Sequence, residues 1–193
     1  MAYYYRTGDV GIIILCTHDG NQSFGLTRRK KIYSNSDFRE HFILANDINT
    51  RYLSNKMRSD ITSYLGKEPY LLINNIDRKY LDLNRPLQLG TSNRKSESYW
   101  NNFHNKLQSV ITECKNKFGY CLLLDIHGNA NTENLIQLGY GVSFKEIERG
   151  VCENLSLQQL KTRYSPISLT HGNRSLGKFL DDYLMSVPSP RME

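Results

Sequence analysis

Phe118-Gly119-Tyr120-Cys121-Leu122-Leu123-Leu124-Asp125-Ile126-His127-Gly128-Asn129 constrains this chain more than any other stretch. Leu122, Leu123 and Leu124 form an apolar run without alternation, the pattern of a strand covered on both faces. Asp125 and His127 lie two apart, so on a strand their side chains share one face. Gly128 and Asn129 then break the strand. In open α/β sheets ligands gather beyond the carboxyl ends of strands, where this pair would fall. The stretch therefore predicts a buried strand that carries a carboxylate and an imidazole to the edge of a sheet. On these residues alone, a capped strand end with its polar pair facing solvent explains the pattern equally well.

A second stretch repeats the arrangement. Ile12, Ile13, Ile14 and Leu15 precede Cys16 in a β-favouring run, which Thr17-His18-Asp19-Gly20-Asn21 releases into a glycine turn. Adjacent parallel strands present their carboxyl ends together, so His18 and His127 are expected to share a site.

Composition narrows the class. A chain of 193 residues with 39% hydrophobic and 23% charged residues suits an ordinary globular protein. A single domain over residues 1–185 with a flexible tail at 186–193 is expected. The net charge of +6 and 13 tyrosines raise the question of nucleic acid. The basic residues are scattered, however, and the one dense run, Arg28-Arg29-Lys30-Lys31, reads as a solvated loop. A small anionic partner suits the charge better. Cys16, Cys114, Cys121 and Cys152 lack metal or redox spacing and read as reduced thiols. No apolar run approaches a membrane span, so a cytoplasmic, membrane-free protein of open oligomeric state is expected.

Between the two histidine strands, helical periodicity follows Ser36, a candidate N-cap. It passes Asp47 and continues through Ile48, Tyr52, Met57, Ile61, Tyr64 and Leu65 to a stop at Gly66. Tyr70 to Ile73 reads as a short strand. Asp77 to Pro86 alternates, as an exposed edge strand or as a loop that grips a carboxylate through arginine. Trp100, Phe103, Leu107, Val110, Ile111, Cys114 and Phe118 mark an amphipathic helix bearing His104. Beyond the central strand, Ile136 to Gly139 reads as a strand and Glu146 to Leu160 as mostly helical, with Ser156 a second cap. Tyr164 to Thr170 reads as a strand before a His171-Gly172 turn.

Taken in order, these segments resemble the N-formylglutamate amidohydrolase family. That family carries Pro-His-x-Gly at a strand end, matched by Thr17-His18-Asp19-Gly20. Its Arg-x-x-x-Asp-x-Asn-Arg-Pro is matched from Arg78 through Asp82, Asn84 and Arg85 to Pro86. Its Phe-Gly-x-x-x-x-x-Asp-x-His-Ser is matched from Phe118 to Gly128. An aromatic-His pair on a helix, a Leu-Gly strand end, an Asp opening a helix and a later His-Gly turn correspond to Phe103-His104, Leu138-Gly139, Asp47 and His171-Gly172. The ordered set spans roughly residues 10–177.

The resemblance implies a three-layer α/β/α fold with a central mixed, mostly parallel sheet of the phosphorylase/hydrolase type. It implies a divalent metal, zinc first, and hydrolysis of an amide bond on a small N-acylated acidic molecule. His18 and His127 are the ligand candidates, with Asp47 third and Asp19 or Gln22 behind it. Asp125 would orient His127 or act on the water, His104 is a further catalytic candidate, and Arg78, Asn84 and Arg85 would bind substrate. Thr17 stands where the family has Pro, and Gly128 where it has Ser. The family's C-terminal Gln-x-Glu has no clean match, leaving Asp181, Asp182 or Glu146 as general base. A catalytically silent relative that binds an acidic peptide or metabolite is the alternative.

Overall fold

The computed structural model describes residues 1–30, 42–129, 136–143, 145–146, 149, 155–170, 172–173 and 175–182. The chain divides into two compact units, Met1–Gly128 and Asn129–Glu193.

The first unit is an α/β fold on a mixed open sheet of four strands: β1 (Tyr3–Arg6), β2 (Ile12–Cys16), β3 (Tyr70–Asn74) and β4 (Leu122–Ile126). Their order is β1-β3-β2-β4, with β1 antiparallel to β3 and both other pairings parallel. Among the described residues the helices of this unit are α1 (Thr50–Leu65), α2 (Leu87–Gly90) and α3 (Arg94–Phe118).

The period-2 geometry of strands divides the core. Ile14, Cys16, Leu71 and Ile73 pack with Met57 and Ile61 of α1. Ile13 and Tyr70, on the opposite pleat, pack with Val110 and Cys114 of α3, and Leu15 and Leu72 cluster with Phe103. The central pair β2 and β3 thus has apolar cover on both faces. Each of these aliphatic side chains contributes about 1.5–3 kcal/mol by burial.

The expected strand at residues 122–126 is present, but it is not covered on both faces. Leu122 and Leu123 are 41% and 38% exposed, because β4 lies at the edge and pairs only with β2 among the described residues. An unbroken leucine run was not sufficient evidence for a central strand.

The first helix ends at Gly66 as its sequence predicts, but it starts at Thr50 and turns a different face inward. Thr50 and Ser54 are buried, whereas Ile48, Tyr52 and Tyr64 are 78%, 71% and 89% exposed. Tyr52 sits roughly 200° around the helix from Thr50, so the apolar series combines two stripes of which only Met57 and Ile61 reach the sheet. Ser36 lies outside the described residues.

The amphipathic pattern ending at Phe118 holds, with an earlier start. Asn93 accepts the Ser96 N–H at 3.0 Å and the Ser96 hydroxyl accepts the Asn93 N–H at 3.0 Å, a capping box that begins α3 at Arg94.

Residues 77–86 form no strand. Tyr80 and Leu81 donate to the Asp77 carbonyl, and Asp82 donates to the Gly90 carbonyl at 2.9 Å, which folds the segment into turns. Burial does not follow the alternation: Leu81 and Leu83 enter the core and Asp82 between them is buried as well.

In the second unit Tyr140, Leu155 and Leu169 form a small core. Residues 136–139 are not a strand, and a 3-10 turn at Gln158–Leu160 follows Leu157 rather than a Ser156 cap. The described residues between 146 and 160 make no continuous helix. The stretch expected as a strand contains a helix, Pro166–Thr170. Pro166 suits a first helical position and the Ser165 hydroxyl accepts the Ser168 N–H at 3.2 Å, a local signal that overrides the apolar pattern. A further helix spans Leu176–Asp182. His171, Cys152 and the tail at 186–193 lie outside the described residues.

Cys16 and Cys114 are buried and Cys121 is partly buried, all as free thiols. Among the described residues no helix is long and apolar enough to cross a membrane.

Candidate metal centre

The parallel register between β2 and β4 places Cys16 opposite Ile126, so the chain leaves both strands together. His18 and His127 follow those residues, and their ring centroids stand 5.0 Å apart. The expectation that these strand ends meet is met.

Two local devices bring Asp47 to the same point. Its N–H donates to the His18 carbonyl at 2.9 Å, and its own carbonyl accepts the Thr50 hydroxyl at 2.7 Å at the start of α1. Gly20 lets the loop after His18 press against β3: a Cβ there would meet the Asn75 backbone at 2.3 Å. Gly128 lies close against Asp47, since a Cβ on it would stand 3.2 Å from the Asp47 Cβ.

Asp47 Oδ2 faces His127 Nδ1 at 3.0 Å and His18 Nδ1 at 3.4 Å. Behind the rings, His18 Nε2 meets Asp82 Oδ1 at 2.8 Å and His127 Nε2 meets Asp125 Oδ2 at 3.1 Å. Each imidazole is thus backed by a carboxylate at Nε2, the arrangement that fixes a metal-binding histidine. His18 Nε2 meets Asp82, which leaves Nδ1 turned to an Asp47 oxygen 3.4 Å away. That nitrogen is wholly buried and has no hydrogen-bond partner. A proton or a metal ion can stand between it and the carboxylate. One atom each from His18, Asp47 and His127 lies within 4.8 Å of the others, a group that could hold a metal ion.

Electrostatics support the grouping. Burial alone would push the Asp47 carboxyl up, but hydrogen bonding to His127, the facing His18 ring and the Gly128 N–H hold it well below the usual carboxylate range. Asp82 is likewise opposed by burial, yet His18, Arg78 and Arg29 hold it down at about 2. The Asp125 and Asp47 carboxylates flanking His127 raise its imidazole to about 9. His127 therefore carries a proton at neutral pH when no cation is present.

A consequence can be measured. A divalent ion that takes His127 Nδ1 must displace that proton, so binding at pH 7.5 releases about one proton from His127 beyond any from water on the ion, and the His127 share falls toward zero above about pH 9. Titration calorimetry in buffers of different ionisation enthalpy reads this number directly. Release near zero at pH 7.5 would remove His127 from the ligand set.

The other expected site residues are distributed differently. Arg78 is 6% exposed, and its Nη1 and Nε donate to Asp47 Oδ1 and Asp82 Oδ2, both at 3.1 Å. It braces the ligand frame from two sides. Asn84 is exposed at the following turn, where its N–H donates to Asp82 Oδ1 at 3.1 Å, and Arg85 Nη1 donates to the Asn84 carbonyl. His104 is not one of the three residues of the metal group. Its ring stacks on Trp100 at 3.8 Å and its Nε2 meets the Leu83 carbonyl at 3.2 Å, while Trp100 donates to the Arg85 carbonyl. Burial lowers the His104 imidazole. The pair pins the 83–85 turn.

Asp19 is not part of the group. Its Oδ2 accepts the Arg51 N–H at 2.9 Å, and Gln22 donates to Asn21. In the second unit Glu146, a general-base candidate, accepts from the N–H and hydroxyl of Ser143, which lowers its carboxyl. Nothing is described of the Asp181 and Asp182 side chains.

Sequence reading missed two residues of the frame. Asp82 was visible as a motif position, but its partnership with His18 joins positions 64 residues apart and carries no local signal. Arg29 was assigned to a solvated basic run, yet it is 3% exposed and reaches Asp82 Oδ2 at 3.3 Å. No family model matches the chain, and no curated protein or solved structure matches it.

Proposed function

We propose that this protein is a metal-dependent amidohydrolase of the N-formylglutamate type, cleaving the amide bond of a small N-acylated acidic substrate. One observation carries the reading: two imidazoles, each backed by a carboxylate at Nε2, turn Nδ1 toward a single Asp47 oxygen. The placement of α1 and α3 on opposite faces of the sheet supports a three-layer α/β/α arrangement.

His18, Asp47 and His127 would hold the ion, and this nitrogen–oxygen donor set suits zinc. Donors on a zinc ion stand roughly 3.4 Å apart, close to the 3.0 and 3.4 Å separations around Asp47 Oδ2. When bound, zinc supplies a Lewis acid for the scissile carbonyl and brings bound water to a pKa of about 7. Asp82 and Asp125 fix the imidazole orientations. Arg78 occupies Asp47 Oδ1 and so leaves Oδ2 to face the histidines. Asp125, the more exposed of the two backing carboxylates, holds the Nε2 proton of His127 and so orients the ring. Arg85 and Asn84, on the turn that His104 and Trp100 brace, receive the substrate carboxylate; an Arg fork matches it bidentately.

The test is metal content followed by turnover. Purified protein given zinc is expected to bind about one ion per chain and release free amine from N-formyl or N-acetyl glutamate or aspartate. A chelator abolishes the activity and added zinc restores it. Stoichiometric metal without cleavage of any such amide would favour the catalytically silent relative. Failure to bind any divalent ion would end the hydrolase reading.

A further inference from the structure

We propose that Arg29 is a positioning residue of this centre, acting on His18 through Asp82; the inference rests on the metal reading above. Arg29 comes from the basic run at residues 28–31, yet its guanidinium is 1% exposed. Removing so extended a cation from water is costly unless every donor finds a partner. Here the donors meet acceptors from three separate segments. Nε donates to the Arg78 carbonyl at 3.0 Å, Nη1 to the Leu89 carbonyl at 2.9 Å, and Nη2 to the Ile43 carbonyl and to Asp82 Oδ2. The Phe42 ring lies 5.0 Å from the guanidinium carbon.

The consequence is geometric. The Asp82 side chain is fully buried and its two oxygens have separate duties: Oδ1 faces His18 Nε2 and the Asn84 N–H, while Oδ2 takes Arg78 and Arg29. A carboxylate held by one arginine can rotate about its terminal torsion, which is soft. Two guanidinium groups on one oxygen leave the other pointed at His18. Arg78 cannot do this alone, because it also serves Asp47. Arg29 further ties the residue 42–43 segment, the 78–82 turn and α2 around that carboxylate. Arginine is required at this site, since the short ammonium head of lysine cannot reach three segments in one plane.

The experiment compares wild type with Arg29→Met and Arg29→Lys by two readouts. The first is long-range 1H–15N NMR of the histidine rings in metal-free protein. Wild type is expected to show a solvent-protected proton on His18 Nε2, held by Asp82. Arg29→Met, with unchanged far-UV circular dichroism, is expected to lose that protection. The second is zinc affinity by chelator competition, expected to weaken about 10-fold, the lower end for residues behind a ligand. A folded Arg29→Met protein with the wild-type His18 signal and wild-type affinity overturns the proposal. If wild type binds no metal, the metal reading falls while the NMR comparison still decides the role of Arg29. Should Arg29→Met not fold, Arg29→Lys is read in its place, and collapse of both would assign Arg29 to the fold instead of the site.

Discussion

His18→Ala is expected to lower zinc affinity by more than about 100-fold. Substitutions one step behind a metal ligand already cost about 10- to 100-fold, and His18 is one of only three donors in the candidate group. The effect separates from misfolding through linkage. At an ion concentration 100 times its dissociation constant, wild type gains about 2.7 kcal/mol of stability from binding, whereas a variant bound 100-fold more weakly gains only about 0.4 kcal/mol. Thermal melts with and without zinc therefore distinguish the two causes. A variant with a lowered melting temperature in chelator, yet the full zinc-induced rise, would remove His18 from the centre. Asp82 remains paired with Arg78 and Arg29 in this variant, so no buried charge is stranded.

The path from sequence to this site shows which signals carry over distance. The strand ends were legible because each is local: an apolar run, then a polar pair, then glycine. Their meeting followed from the rule that parallel strands share an end, and β2 pairs directly with β4. What failed was inference about cover. Leu122 and Leu123 read as doubly buried because periodicity records hydrophobicity, not a strand's place in the sheet. Tyr52 and Tyr64 read as core for a related reason, since a helix series does not say which stripe meets the sheet. The buried frame behind the histidines left no local trace. Arg29 stands among three other cations and becomes structural only because Asp82, 53 positions later, folds back beneath it. The 77–86 alternation misleads in another way, since turns bury Arg78 and Asp82 along with Leu81 and Leu83 and no strand forms. In the second unit a Ser-Pro start overruled β-favouring residues, so Pro166–Thr170 is a helix.

Asp82→Ala is expected to destabilise the protein by about 3–5 kcal/mol, the cost of stranding buried charge when one partner is removed. The side chain is fully buried, and four groups converge on it: His18 Nε2, Arg78 Nε, Arg29 Nη2 and the Asn84 N–H. Arg78 keeps Asp47 as a partner, so the loss falls mainly on Arg29. For a chain of 193 residues the change corresponds to a fall of about 10 °C in melting temperature. Acid titration gives an independent reading of the same carboxylate. Asp82 is depressed to about 2 from an ordinary 3.8, so the unfolded chain binds its proton first as pH falls. Its contribution is complete above about pH 5, declines as pH drops through 3.8, and is gone below about 2. Wild type is therefore expected to lose stability over that window more steeply than Asp82→Ala, which has no such proton to take up. Urea denaturation at pH 7, 4 and 3 measures both quantities. Parallel pH dependence in the two proteins, or a loss under about 1 kcal/mol at pH 7, would mean that the arginines are satisfied by carbonyls alone and that Asp82 does not organise this site.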